Sequence, residues 1–355
     1  VKAVPSALLA HMQGPTTTLA TCWKVVRADG TTMGFTDHVA NLTVSGVVHE
    51  AATGYTPTAL KGNATLSVDN MDVIGLLNAS GITAADIEGK KYDNAEVFMF
   101  VVNYKDTAMG TAKLGHGRIG NITLQDNTYV AEFRSLSQLL QQNVGERYSL
   151  RCRAALGDTR CGIPLVPSAW VSSTVYAASA YVQAASYTGR IFRCTTPGTS
   201  GGTEPAFSLT VGASTADASA VWTTENAWTK RLAVTSVTSR RQFYASALIS
   251  VVAEYVSTMT SVPVSNFYAG GLVTWQASAT NSTYAAEVKS YSSGTVTLVE
   301  DMPYTILASD VFEIYPGCDK RFIETCKNKF SNVVNFRGEP YIPGAHDVLK
   351  FGGQG

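Results

Sequence analysis

Four of the six cysteines in this 355-residue chain fall into two widely separated pairs. Cys152 and Cys161 frame eight residues, in Arg151-Cys-Arg-Ala-Ala-Leu-Gly-Asp-Thr-Arg-Cys161. Cys318 and Cys326 frame seven, in Gly317-Cys-Asp-Lys-Arg-Phe-Ile-Glu-Thr-Cys326. Four thiolates brought together complete either a tetrahedral zinc site or a cubane iron–sulfur cluster. Arg151, Arg153, Arg160, Lys320 and Arg321 stand beside them, and such cations offset thiolate charge and lower thiol pKa. The gaps are wider than the two-residue spacings of zinc ribbons and ferredoxins. On spacing alone, a shared metal centre and four unconnected buried thiols both stay open, with two disulfides behind them.

The elements that must position these thiols read as mainly β. Leu8 to Met12 suits a short helix. Thr18 to Arg27 alternates as a strand, Ala28-Asp-Gly30 turns, and Met33 onward starts a second strand. Leu66 to Asn70 resembles a strand end and Val73 to Asn78 a helical turn. Thr83-Ala-Ala-Asp86 is a capped helix start. Ala95 to Asn103 is apolar on both faces, as in a buried strand. Leu114 to Phe133 reads as a hairpin, and Leu136, Leu139 and Leu140 share a helical face over Ser135 to Gln142. Past Lys230 the expected strands are Leu232–Val237, Gln242–Ile249, Gly271–Trp275, Ala286–Lys289 and Gly294–Leu298, a pattern of barrels and sandwiches.

Composition narrows the function. Charged residues are only 15%, with Lys plus Arg equal to Asp plus Glu at 27 each. A weakly charged surface loses little on being packed against neighbours, and net neutrality gives no overall field for nucleic acid. No apolar run is long enough to span a bilayer. Val1 to Gln13 lacks the pattern of a signal peptide, so folding in a reducing cytoplasm is expected, with the cysteines beginning as thiols.

The residues around the cysteines resemble a known family. Gly317 to Phe330, followed by Asn335-Phe-Arg-Gly-Glu-Pro-Tyr-Ile-Pro-Gly344, is similar to the C-terminal signature of phage tail hub proteins, including the hub of gene transfer agents. Thr18-Leu-Ala-Thr-Cys-Trp23, Gly34-Phe-Thr-Asp-His38, Leu66-Ser-Val-Asp-Asn70 and Gly157-Asp-Thr-Arg-Cys-Gly162 fit the same pattern, in order. The resemblance implies a virion protein of a siphophage-type tail tip or baseplate with β-barrel domains of the baseplate-hub type. It implies a homo-oligomeric ring, a trimer, between the distal tail protein and the central tip protein, with DNA only as transiting cargo. It also implies a 4Fe–4S cluster on Cys152, Cys161, Cys318 and Cys326, zinc being the alternative. Cys22 and Cys194 are read as buried small hydrophobes.

From this reading the chain divides into a β-rich hub domain (1–150), a cysteine-bearing connector (151–166), an inserted small all-β module (167–229), a second hub barrel (230–315) and a cysteine-bearing tail (316–355). The insert is rich in Tyr, Trp, Ser, Thr and Gly, and Pro197 to Pro205 is a long loop by its turn chemistry. It resembles small aromatic-rich modules of phage tail proteins, some similar to carbohydrate-binding domains. Trp170, Tyr176 and Trp222, with Tyr187 and Phe192, could stack on sugars and make the chain a host-surface binding module. The preferred reading is that they form the module's own small core. Catalysis is not expected. Asp37-His38 and His346-Asp347 are sequence neighbours whose side chains diverge in a strand, and Cys22 with a histidine is the one nucleophile arrangement entertained. No Gly-x-Ser-x-Gly elbow, His-Glu-x-x-His helix or phosphate-cradling loop is present.

Overall fold

Alternating apolar and polar residues build the described part of this protein into mainly antiparallel sheets, with a few short helices and long connecting loops between them. The computed structural model describes residues 4–51, 56–57, 70–76, 82–125, 128–136, 145–259 and 261–341. The chain divides into two compact units, Val1–Glu146 and Arg147–Gly355.

In the first unit, α1 (Ser6–Met12) precedes a sheet of nine strands among the described residues. They are β1 (Leu19–Val26), β2 (Thr32–Thr36), β3 (Leu42–Val44), β4 (Val47–Glu50), β5 (Thr56–Pro57), β6 (Asn70–Leu76), β7 (Glu96–Asn103), β8 (Ala112–Gln125) and β9 (Thr128–Ser135). The sheet order is β3-β4-β2-β1-β7-β8-β9-β6-β5. As expected, β1 and β2 form a hairpin with Trp23 opposite Phe35, and β8 and β9 form another. Trp23, Phe35, Tyr92, Met99, Tyr129 and Phe133 pack into the main core. On the other face Ala20, Cys22, Leu42, Val44 and Val102 form a smaller one. This two-sided burial of β1 follows from side chains alternating across a strand.

The capped helix start is present as α2 (Ala84–Glu88), where the Thr83 hydroxyl accepts from the Asp86 N–H at 3.1 Å. The helical turn expected from Val73 is instead part of β6, which pairs with β9 from Asn70↔Arg134 to Leu76↔Thr128. Pairing with a long neighbour overrode local propensity there. Most of the expected helix over Ser135–Gln142 lies outside the described residues, and Ser135 itself closes β9. Leu66 to Asp69 also lie outside them.

The second unit begins with the connector and the insert. The insert contains β10 (Val175–Tyr176), β11 (Tyr181–Val182), β12 (Arg190–Thr196), β13 (Gly198–Thr199), β14 (Ser214–Asp217) and β15 (Ala220–Asn226). They form a four-stranded sheet, β11-β12-β15-β14, and a two-stranded one, β10-β13. The long loop expected from Pro197 therefore starts with two residues of strand. Strands β16 (Lys230–Ala233), β17 (Ser236–Ser239), β18 (Gln242–Tyr244), β19 (Leu272–Ala277), β20 (Ala285–Ser292), β21 (Thr295–Leu298) and β22 (Val311–Tyr315) follow. Their order is β16-β22-β19-β20-β21-β18-β17, curled around a large core that includes Phe243, Trp275, Tyr291 and Phe312.

One expectation fails clearly here. The strand read over Gln242–Ile249 stops at Tyr244, and α3 (Ala247–Ser257) follows. Leu248, Val252 and Tyr255, spaced by four and three, put one helical face into the core. The Tyr255 hydroxyl donates to the Ala227 carbonyl and ties the helix to the end of the insert.

Candidate metal centre

The cysteine centre is built where β22 ends. Gly317 lies so tightly against Ala269, Gly270 and Gly271 that a Cβ there would overlap the Ala269 carbonyl oxygen. The Lys329 ammonium reaches in from below, donating to the carbonyls of Phe267 (2.6 Å) and Gly317 (2.8 Å). The ammonium nitrogen lies over the Phe267 ring, 4.5 Å from its centroid. Burial pulls the Lys329 pKa down to about 8, partly opposed by Cys318 and Asp319. The backbone carrying Cys318 is thus fixed from two sides.

After Cys318 the chain turns through Lys320 at positive φ into a single wide turn of π-helix, Phe322–Lys327. Asp319 accepts from Arg321 N–H at 3.1 Å and from the Thr325 hydroxyl, which sets the start of that turn. Cys326 emerges from it, 9% exposed. The connector meets this segment edge to edge. Cys152 N–H donates to the Lys320 carbonyl (2.9 Å), Arg153 N–H to Arg337 (2.9 Å) and Glu339 N–H to Ser149 (2.8 Å). Arg153 also holds Glu339 through two nitrogens at 2.7 and 2.8 Å. Asp158 caps the loop of Cys161 by accepting its N–H at 2.7 Å.

The four cysteines therefore converge, although 156 residues lie between Cys161 and Cys318. Asn332 bridges two of them: its side chain donates to the Cys161 carbonyl at 2.6 Å, and its carbonyl accepts from Cys326 Sγ at 3.1 Å. Two N–H groups point at sulfur, Arg337 N at 3.3 Å from Cys152 Sγ and Asn332 Nδ2 at 3.6 Å from Cys161 Sγ. Burial raises the Cys326 thiol to about 11, and proximity to Cys152, Cys318 and Cys161 adds to the rise. Cys318 is raised by burial first, with Lys320 working against it and Cys161 with it. None of the six cysteines is in a disulfide. Among the described residues, no three His, Cys, Asp or Glu side chains form a group that could hold a metal ion.

The cation environment differs from the sequence expectation. Arg153 is engaged by Glu339, Arg160 faces Asp158 at 3.6 Å, and Arg321 faces Asp319 at 3.4 Å. Lys320 acts on Cys318 directly. Lys329 and Asn332 were not singled out in the sequence. No spacing rule marks a lysine that will bond backbone carbonyls.

Cys22 and Cys194 are both fully buried in apolar clusters, where burial raises their pKa. Cys22 donates to the Thr36 hydroxyl at 3.6 Å, while the neighbouring His38 ring stacks on Tyr104. Asp37 turns to Thr21 N–H at 2.7 Å, so Asp37-His38 forms no acid–imidazole pair. His346 and Asp347 lie outside the described residues. In the insert, Trp222 is fully buried, with Tyr176 edge-on to it at 4.9 Å. Asp217 accepts both indole N–H groups, from Trp170 at 2.8 Å and Trp222 at 3.0 Å. The Trp222 ring faces no solvent, and Trp170 and Tyr176 pack against the insert's core. As contacts for a sugar these three are poorly placed.

Comparison with known proteins agrees with this architecture. Residues 5–164 match the family described as baseplate hub protein, N-terminal attachment domain. Residues 266–346, which include Cys318 and Cys326, match the family of phage conserved hypothetical protein BR0599. Among curated proteins, none matches. Among solved structures, the chain is similar to one from the virion of a native gene transfer agent particle. The identity is 28%, covering 97% of this chain and 95% of that one, with a TM-score of 0.66. A mainly β fold of this order, joined to both matches, defines a structural component of a phage-type virion tail. The match over residues 5–164 and the structural likeness support a baseplate hub of the phage type. Among the described residues, no helix is long and apolar enough to cross a membrane.

Proposed function

We propose that this protein is the structural hub of a siphophage-type tail tip, a trimeric ring between the distal tail protein and the central tip protein. It performs no turnover. A 4Fe–4S cluster held by Cys152, Cys161, Cys318 and Cys326 staples the C-terminal segment to the connector. The observation that carries this reading is the meeting of those cysteines, with N–H groups aimed at two of their sulfurs.

The N–H groups aimed at the sulfurs of Cys152 and Cys161 suit a cluster. A cubane spreads its thiolates over separate irons, so its ligands stand further apart, and N–H groups directed at sulfur tune its potential. The Cys318 and Cys326 thiols, raised by burial and by neighbouring cysteines, lose that cost when a cation replaces their protons. The cluster supplies a crosslink when bound. Lys329, Asn332 and Asp158 keep the ligand-bearing backbone in place around it. Closing so long a loop also removes entropy from the unfolded chain.

Purified anaerobically, the chain is expected to form trimers by native mass spectrometry and to co-sediment with the distal tail ring. A variant lacking residues 168–228 is expected to do the same, because the insert has its own core. Monomers that do not bind the ring would contradict the hub reading. Binding lost only in the deletion variant would place the insert within the assembly surface.

A further inference from the structure

Strand β8 outruns its neighbour on one side. Its pairing with β7 ends at Arg118↔Glu96, and the last bond to that side runs from the Ile119 N–H to the Ala95 carbonyl at 2.9 Å. Between α2 and β7 the chain turns through Lys90 and Asn94, both at positive φ, which takes it off the line of β7. From Gly120 to Leu124 the β7 side of β8 is therefore a free sheet edge among the described residues. This edge lines a groove of about 710 Å³ together with Ile87, Glu88, Asp93 and Asn94. We propose that the groove takes an extended, Lys- or Arg-bearing segment of another protein, which adds to the sheet as a strand beside β8. The proposal goes beyond the hub reading and does not depend on it.

The register fixes which backbone groups are free. Gln125 and Thr128 pair across only two intervening residues, which makes them a hydrogen-bonded pair, and such pairs alternate along an antiparallel ladder. Gln125 and Thr123 thus turn N–H and C=O toward β9, while Leu124 and Ile122 turn theirs to the groove. No described backbone group answers them. An incoming strand supplies the missing partners, as when an extended peptide joins a sheet edge. Natural edges are commonly blunted with Lys or Pro, but Ile119 to Gln125 contains neither and carries no charge. Ile122, Leu124 and Ile87 pack partly buried against the main core. They offer apolar contact to every second side chain of the incoming strand.

Charge selects the segment. Arg118 is held by Glu96 at 3.5 Å and Arg134 by Glu132 at 2.6 Å, and Lys90 is also engaged. Glu88 and Asp93 are exposed and have no partner among the described residues. The groove therefore presents unmatched carboxylates to an incoming strand, and cations at its alternate positions answer them. Edge-to-edge pairing of two copies would instead bring both sets of carboxylates together, so the occupant is a different chain.

The test uses the full chain with short synthetic peptides that alternate Lys or Arg with Val, Ile or Thr. Matched peptides carry Glu in place of the cations, or an N-methylated backbone that cannot pair. Binding is read by fluorescence anisotropy and by amide hydrogen exchange. The basic peptides alone are expected to bind, and the Ile122 and Leu124 amides, open to exchange in the free chain, gain protection. Glu88→Lys with Asp93→Lys is expected to weaken binding about tenfold or more and to pass the preference to the Glu peptides. Leu124→Pro removes an N–H that the β8–β9 ladder does not use and is expected to weaken both. The double charge change touches no core contact, so it decides the matter even if Leu124→Pro fails to fold. No binding at millimolar peptide, or affinity unchanged by the charge reversal, would overturn the proposal. So would Ile122 and Leu124 amides already protected without peptide, whether by this chain or by a second copy. Trimer mass measured on the same samples reports separately on the hub.

Discussion

Gly317→Ala is expected to destabilise the second unit by about 3 kcal/mol or more and to empty the cysteine centre. The new methyl group would overlap Ala269 and Gly270 and lie 2.6 Å from Gly271 N, contacts that are all backbone. No rotamer change relieves such an overlap. The strand end must move away from residues 269–271, and Cys318 moves with it. That shift also breaks the seat of Lys329, whose ammonium then faces unmatched carbonyls in a buried site. Gly202→Ala is the control, since nothing lies within 4 Å of its added carbon. Urea unfolding with iron content on both variants decides the matter. If Gly317→Ala keeps wild-type stability and full metal content, the described seat of Cys318 is wrong.

The second large effect is expected at Asp217. This carboxylate accepts from Trp170 and Trp222 through one oxygen and from Gly201 N–H, at 2.7 Å, through the other. Hydrogen bonds to a charged acceptor contribute about 1.5–3 kcal/mol each. Asp217→Ala should cost the insert about 3 kcal/mol or more, because two indoles and a backbone N–H lose their acceptor together. Asp217→Asn should cost nearly as much, since an amide offers one oxygen where two are used. Burial alone would raise the Asp217 pKa, but the bonds from Gly201, Trp170 and Trp222 outweigh it and hold the value below normal. Its contribution is therefore complete above the ordinary aspartate pKa of about 3.9 and disappears as pH falls through the lowered folded value. Tryptophan fluorescence and near-ultraviolet circular dichroism across an acid titration would show it. An insert in Asp217→Asn as stable as wild type at neutral pH would contradict this arrangement.

Much of the frame is readable from residues alone. The β1–β2 and β8–β9 hairpins follow from alternation around a turn, and Thr83 marks α2 because a hydroxyl before an acidic first turn suits a helix N-terminus. The cysteine pairs announce themselves by type, and the fold brings the connector pair beside the C-terminal pair. Helix α3 was missed because Gln242-Phe-Tyr opens as a strand and the apolar run continues without a breaker. The spacing of Leu248, Val252 and Tyr255 was the available signal. Strand β6 is decided by its partner β9, which no local pattern reveals. The supports of the centre were hidden for the same reason. Lys329 and Asn332 act on backbone atoms or on cysteines distant in sequence, and only the fold brings these together. The insert's aromatics were ambiguous between sugar contacts and core until Asp217 was seen to hold two of their indoles.

The central claim is that four converging cysteines carry an iron–sulfur cluster in a tail hub. Its most direct test is anaerobic purification of wild type and Cys318→Ser, with visible absorption and iron, sulfide and zinc analysis. The account predicts a broad visible band with matched iron and sulfide in wild type, lost in Cys318→Ser. A colourless, metal-free wild type that remains folded, or one holding zinc in place of iron, would contradict it.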